Sequence, residues 1–473
     1  MSLSKLTKRG DSTKKGEENV EDFLKNLFNE VLVEERWASE ISDLKSAMKE
    51  IMERFVIEAF ETTDEDENES LKKQLKPVGS MEDGTSICKP DEFDFIFEIP
   101  YTGYESKPSA NLDTVTFPVN HSPRLVVKPG DMRFRRLFRD GAEVKSTNFL
   151  QHFGMKFKKA VVALSEAEPV RRCGYSLQMR DPSCPGCYSG FQGPAFHLHN
   201  HLAWISPSGE EHFVSIDLVP AVVMQDEELC KQAPKFDDND TDAREHGTRS
   251  KYYLIPIKSR SIVMSLRVFI DGESEKRKDF ATSNFAISFV EYENDIMKQW
   301  KRETSLYHSW YICYTLLKCF GTINHSCTGH VNIEESGNAS IQAITPFSHP
   351  EHNETLSSYA WKLLIFEQAK ISNGERLSLY TCFDSIISML HPRNLSSISE
   401  VRINSFWCQE VMETVYLRQK NSDQSTDLVV KMAELNSLIQ DIQDDERYNY
   451  DFYKNKLFKI FTKLEEALSE HVP

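Results

Sequence analysis

The stretch 79-GSMEDGTSICKPDEFDFIFEIP-100 places a Gly-Ser pair and a polar loop ahead of a run in which acidic and aromatic residues alternate. Phe93, Phe95, Phe97 and Ile99 share one parity, and Glu92, Asp94, Ile96 and Glu98 share the other. A period of two is the pattern of a strand with one buried face, so Glu92 and Asp94 stand side by side. Neighbouring carboxylates repel each other and resist desolvation, and a fold keeps them together where a cation lies between them. Magnesium or manganese, hard ions with oxygen ligands, suits such a pair. Just upstream, Gly79 and Ser80 offer a tight turn whose free backbone N–H groups and hydroxyl can hold a triphosphate.

A third carboxylate, Asp217, lies inside another strand-like run, 213-FVSIDLVPAVV-223. Its alternation sets Phe213, Ser215 and Asp217 on one face and Val214, Ile216 and Leu218 on the other. Three strand carboxylates beside a phosphate-holding turn suit two-metal phosphoryl transfer. A solvent-facing set of strand acids is the plainer alternative. The chain holds 73 acidic residues, and the run 64-DEDENE-69 repeats the acid-x-acid pattern on its own.

The surroundings are those of a globular protein. At 473 residues the chain is long enough for two cores, and its 40% hydrophobic and 27% charged residues are ordinary for such proteins. No apolar run reaches membrane-spanning length, and the first residues lack the apolar core of a signal peptide. A cytoplasmic protein with no membrane partner is expected, its ten cysteines being reduced thiols or metal ligands. The net charge of -17 argues against a protein coated in nucleic acid but leaves room for a local basic face.

Along the chain, residues 1–16 read as a disordered, basic tail. Helical spacings follow in 20-VEDFLKNLFNEVLV-33 and 41-ISDLKSAMKEIMERFVIEAF-60, and the acidic run 62–70 reads as a solvated linker. Short strand-like runs dominate from Gly79 to about Val223, with a helix expected over 147–163. After about residue 285 the pattern becomes helical, interrupted by a polar stretch at 321–354. The expected fold class is α+β, with a mixed α/β part over 17–280 and an all-helical part over 281–473.

At this point the motifs resemble a known family. Gly-Ser, a spacer, Glu-hydrophobic-Asp and a distant strand Asp look like the polymerase-beta-type nucleotidyltransferase signature. The pieces 193-GPAFHL-198, 215-SIDLVPAV-222, 253-YLIP-256, 287-ISFVEYE-293, 357-SSYAWK-362 and 382-CFDSII-387 resemble, in their order, the cyclic GMP-AMP synthase-like receptors and their Mab-21 relatives. The resemblance implies a bilobal nucleotidyltransferase with an N-terminal spine helix, a mixed sheet and a helical lobe, the active site lying in the cleft. Glu92, Asp94 and Asp217 would hold the metals and Gly79 and Ser80 the triphosphate. Ser358 would touch phosphate, Tyr359 would stack on a base, Lys362 would lie nearby, and Glu293 would stand beside the nucleotide.

The implied activity is the joining of two nucleoside triphosphates, ATP, GTP or others, into a cyclic dinucleotide for a STING-type receptor. A catalytically silent Mab-21-like protein and an RNA-terminal nucleotidyltransferase remain the alternatives. The zinc thumb of the vertebrate synthase has no counterpart between Glu293 and Trp310, which turns the expected activator from double-stranded DNA towards double-stranded RNA.

Two further groups of residues carry expectations of their own. Cys184 and Cys187 form a knuckle, and His197, His199 and His201 alternate along a strand, so these thiols and imidazoles could close a tetrahedral zinc site or simply line a wet strand face. Cys319, His325, Cys327 and His330 make a looser cluster. The segments 133-RFRRLFR-139 and 156-KFKK-159 are basic, and Arg135, Arg136, Lys158 and Lys159 are the expected phosphate contacts for nucleic acid. The alternative is a solvated face that balances the acidic helices within the chain.

Overall fold

Alternation in the Glu92 run is realised as an inner strand of a mixed sheet, one place in from its edge. The computed structural model describes residues 3–100, 125–126, 143–144, 146–192, 194–225, 251–256, 285–322, 358–372, 375–389, 400–404, 412–416, 427–461, 464–465 and 468. In chain order the strands are β1 (Leu75–Val78), β2 (Glu92–Pro100), β3 (Leu125–Val126), β4 (Glu143–Val144), β5 (Val170–Arg172), β6 (Tyr175–Met179), β7 (Tyr188–Gln192), β8 (Ala195–Ile205), β9 (Glu211–Gln225), β10 (Lys251–Pro256), β11 (Phe285–Ser288), β12 (Glu400–Asn404) and β13 (Met412–Tyr416). The helices are α1 (Leu3–Val31), α2 (Val33–Arg36), α3 (Ile41–Phe60), α4 (Glu65–Gln74), α5 (Gly79–Asp83), α6 (Ser146–Ser165), α7 (Val290–Trp300), α8 (His308–Thr322), α9 (Ser358–Ile371), α10 (Leu379–Met389), α11 (Asp427–Asp444) and α12 (Tyr450–Ile460). The protein is thus α+β.

Nine strands share one sheet, in the order β1-β2-β9-β8-β6-β5 with β7, β10 and β11 attached as branches. Among its described pairings β2 with β9 is parallel and the others are antiparallel. A parallel pair needs a long crossover, and α6 with the strands that follow it supplies one here. On one face Phe93, Phe95, Phe97, Val214, Ile216, Leu218, Phe196 and Leu198 are buried. Helices α3 and α6 cover that face through an aromatic lattice. Phe157 of α6 lies 5.6 Å from Phe55 of α3 and 5.3 Å from Phe196 of β8, and Phe60 stacks on Phe97 at 5.1 Å. The opposite face carries Glu92, Asp94 and Asp217, and α5 stands over it.

Helices of the second half form their own apolar packing against α1. Trp300, Trp310, Tyr311, Trp361, Phe366 and Phe383 are buried there, and Phe28 of α1 meets Tyr311 edge-on at 5.9 Å. Helix α1 begins at Leu3, inside the stretch 1–16 expected to be a disordered tail. From its second half it is fixed to the C-terminal helices. Lys15 donates to the Glu446 carbonyl and Asn19 to the Asp445 carbonyl, and Gly16 passes so close to α11 that a Cβ would lie 2.4 Å from the Gln443 oxygen. Once that part is nucleated, extending the helix towards Leu3 adds one hydrogen bond per residue ordered.

Other expectations need correction. The acidic run 62–70 is not a linker. Asp64 caps a helix by accepting from the N–H groups of Asp66 and Glu67, and the acids of its first turn complement the helix dipole. The sheet continues past residue 280, because Phe285–Ser288 pairs with β10 before α7 begins. The second part is not all helical either, since β12 and β13 form an antiparallel pair within it. The run 114–119 and most of the polar stretch 321–354 lie outside the described residues. No described helix is long and apolar enough to cross a membrane.

Phe157 joins α3, α6 and β8 in one contact and is fully buried. Phe157→Ala is expected to lower the unfolding free energy by about 3 to 5 kcal/mol. Urea denaturation checks this, and a loss under about 1 kcal/mol would mean that α6 does not seal the sheet.

Candidate metal centre

Register brings the three carboxylates together. In the parallel ladder Asp94 of β2 lies opposite Asp217 of β9, and Glu92 opposite Ser215. One oxygen from each of Glu92, Asp94 and Asp217 falls within 4.8 Å of the other two. Among the described residues this is the one group of three or more side chains so placed to hold a metal ion. Its donors are all carboxylate oxygens, the set that magnesium or manganese takes.

The electrostatics of the cluster reflect crowding. Glu92 keeps solvent-accessible surface but is otherwise ringed by protein, and burial, with the charges of Asp217 and Asp91, pushes its pKa up to about 7. Burial, reinforced by Glu92 and Asp217, holds Asp94 well above the ordinary carboxylate range. Like charges this close cannot all ionise without a compensating cation.

Two basic groups of the chain act on the cluster. His197 of β8 sits opposite Asp217 in the antiparallel β8–β9 ladder, and its Nδ1 pairs with Asp217 Oδ1. Burial opposes charge on His197, yet Asp217 and Glu92 raise its pKa above the usual value. Lys318 of α8 is buried behind the site, and burial lowers its pKa while Asp83, Asp94 and Glu92 pull it back up. Neither contact was foreseen as part of the site. For Lys318 the available signal was a solitary lysine in the apolar run 310-WYICYTLLKCF-320.

Gly79 and Ser80 open α5, directly over Asp94. Gly79 adopts φ +74°, which L side chains rarely tolerate, and a Cβ there would stand 2.0 Å from Asp94 Oδ2. Glycine is therefore required twice over, by the turn and by the carboxylate beneath it. The short helix is braced from outside. Asp83 Oδ1 accepts from the Thr85 N–H at 3.0 Å and from its hydroxyl at 2.6 Å, and Asp83 Oδ2 receives Lys362 Nζ at 3.1 Å. Lys318 donates to the Thr85 carbonyl at 3.2 Å and Tyr311 to the Gly84 carbonyl at 2.6 Å.

The remaining expected residues fall into three groups. Glu293 is buried on α7, and Lys362, buried on α9, is paired with Asp83 underneath the turn, 279 residues away in sequence. Ser358 begins α9, while the side chains of Ser358 and Tyr359 lie outside the described residues, as do Arg135 and Arg136. Lys158 is exposed on α6, and Lys159 pairs with Glu61 at 3.1 Å between two exposed side chains.

Among the described residues, those expected to bind zinc are not gathered into one group. Cys187 Sγ donates to the Asn200 carbonyl at 3.2 Å, His197 is taken by Asp217, and His199 Nδ1 meets Ser215 Oγ at 3.2 Å, so these donors do not converge. Nor does His201 continue their half-buried series. The β8–β9 register shifts between Leu198 and Leu202, Asn200 takes φ +53°, and His201 is buried. Cys319 is buried on α8 beside Cys88, and His325, Cys327 and His330 lie outside the described residues. The described cysteines are free thiols. No family model matches the chain, and no curated protein matches it.

The raised pKa values carry a sign. In the metal-free protein the folded state holds protons on Glu92 and Asp94 that the unfolded chain has released, so the contribution of these two groups to stability is greatest below the ordinary carboxylate range. It declines as pH climbs from about 4.5 to about 7 for Glu92. Metal binding needs the same protons gone. Manganese affinity, measured by calorimetry, is expected to strengthen by about tenfold or more per pH unit between pH 6 and 7, where Glu92 still holds a proton. A flat profile would remove Glu92 from the ligand set.

Proposed function

We propose that the protein is a metal-dependent nucleotidyltransferase of the cyclic GMP-AMP synthase-like type, built on the bilobal polymerase-beta-type fold. The observation that supports this reading above the others is the Asp94–Asp217 juxtaposition with Glu92 beside it and Gly79 pressed against Asp94. That arrangement joins a carboxylate cluster fit for divalent cations to a turn fit for a triphosphate.

In this reading Glu92, Asp94 and Asp217 hold magnesium or manganese. The ions would lower the pKa of an attacking hydroxyl and neutralise the leaving pyrophosphate. Gly79 and Ser80 present backbone N–H groups and a hydroxyl to the phosphates, and the glycine lets them approach Asp94 without a clash. His197 holds Asp217 in one rotamer, as outer partners of ligating carboxylates do. Glu293, Ser358, Tyr359 and Lys362 are the residues assigned to the nucleotide pocket or its support. The product is a cyclic dinucleotide for a STING-type receptor, made in the cytoplasm from ATP, GTP or other triphosphates on binding double-stranded RNA. Lys158 and Lys159, with Arg135 and Arg136, are the expected phosphate contacts. The exposed Lys159–Glu61 pair is of a kind that contributes little, so RNA can displace it.

Incubating the protein with manganese, nucleoside triphosphates and double-stranded RNA, and reading the products by mass spectrometry, tests the proposal. A cyclic dinucleotide is expected, lowered about a thousandfold by Asp94→Asn or Asp217→Asn, the several kcal/mol that bound metal contributes. An extended RNA would support the RNA-terminal alternative. No product from the parent under any of these conditions would favour a catalytically silent protein.

A further inference from the structure

One turn of helix cannot hold itself, because nucleation costs more than a single hydrogen bond returns. Yet α5, five residues long, has Gly79 against Asp94 at one end and Asp83 buried at the other. Its shape is imposed from the helices of the second half. Asp83, Thr85, Lys318 and Lys362 are all buried, and their contacts form one connected set. Asp83 holds Thr85 through one oxygen and Lys362 through the other, and Lys318 holds the Thr85 carbonyl.

Asp83 faces two buried ammonium groups, and Glu293, also buried, draws on Lys362 as well. Well-packed apolar side chains would be at least as stable at such positions, so the ionic set specifies geometry rather than adding stability. The second charge also has a direction. The field of Lys318 reaches Asp94 and Glu92 as well as Asp83. Lys362, by contrast, is committed beneath the turn. Burial disfavours its charge, and the attraction of Asp83, with Tyr314 and Glu293 adding to it, outweighs that.

The geometry points to a clasp, Asp83 and Thr85 against Lys318 and Lys362, that positions the Gly79–Ser80 turn on Asp94 and ties it to α8 and α9. In its consequence for the nucleotide this rests on the function proposed above. Asp83 and Lys362 are positioning residues: both are buried, they pair with each other, and they act through the placement of the turn. A displacement of α8 or α9 relative to the sheet is delivered through α5 to the metal centre instead of being absorbed by a free loop.

Two measurements on the full chain test this. Hydrogen exchange of the metal-free protein is expected to show residues 79–86 exchanging about tenfold faster in Asp83→Asn and Lys362→Gln, the loss of one charged hydrogen bond, with 92–100 unchanged. Unaltered exchange at 79–86, or acceleration throughout the chain, overturns the clasp. In manganese-supported turnover each variant is expected to raise the triphosphate KM about tenfold with kcat within about threefold, and the double variant is expected to be no worse than either single one. Multiplying losses would place Lys362 on the nucleotide itself and overturn the clasp as well. If Asp83→Asn does not fold, Thr85→Val removes one hydroxyl and no charge and is read in the same way. Absence of any turnover in the parent would sink the nucleotidyltransferase reading, and the exchange measurement alone would then decide the clasp.

Discussion

Repulsion among Glu92, Asp94 and Asp217 is the constraint to which the rest of this structure answers. Backbone pairing leaves these residues no choice of distance: Asp94 and Asp217 are directly opposite in a parallel ladder, and Glu92 is one same-face step away. Coulomb repulsion at that separation, with part of the solvent removed, is paid in raised proton affinity. The chain sets positive charge around the cluster, His197 on the far side of Asp217 and Lys318 behind Asp94. Neither takes the place of an ion between the three oxygens.

Such a cluster needs a frame that repulsion cannot spread. The apolar face of the same strands provides it. Each acid on β2 has a buried aromatic as its sequence neighbour, Phe93 or Phe95, and α3 and α6 close over that face with Phe55, Phe153 and Phe157. The polar and apolar faces are separated by one pleat, so the packing that stabilises the sheet and the charge that strains it act on the same few strands. Across the polar face, α5 is held by side chains from α8 and α9, and the surroundings of the three carboxylates are thereby built from both halves of the chain.

The readable parts of this arrangement were those written in local periodicity. Alternation in 92–100 and 213–223 gave both strands and the face of each acid, and a Gly-Ser before the first strand marked the turn. Apolar spacing located α3 and α6 to within a few residues. Composition misled where a cap outweighed it. The run 62–70 is as acidic as any linker, but Asp64 followed by Glu67 has the spacing of a capping box, and the helix forms. Periodicity misled at His201, because a single residue with positive φ, Asn200, shifts the register and no count of alternation reveals it. The Asp83–Lys362 pair was beyond any local reading, since only the folded chain brings those positions together.

Strand β9 is paired with β2 along 215–223 on one edge, and on the other with β8 along 211–218 and β10 along 222–225. Few of its amide groups face an open edge, and its apolar side chains sit under α3 and α6. Partial openings of a protein release its least-bonded segments first, and a doubly flanked strand belongs to the unit that yields only with the whole. Asp217 is carried on that strand, whereas Gly79 and Ser80 belong to a short helix held by side chains. The candidate site thus joins a rigid anvil to a part that can come loose, so the Gly79–Ser80 turn can melt locally without dismantling the three carboxylates.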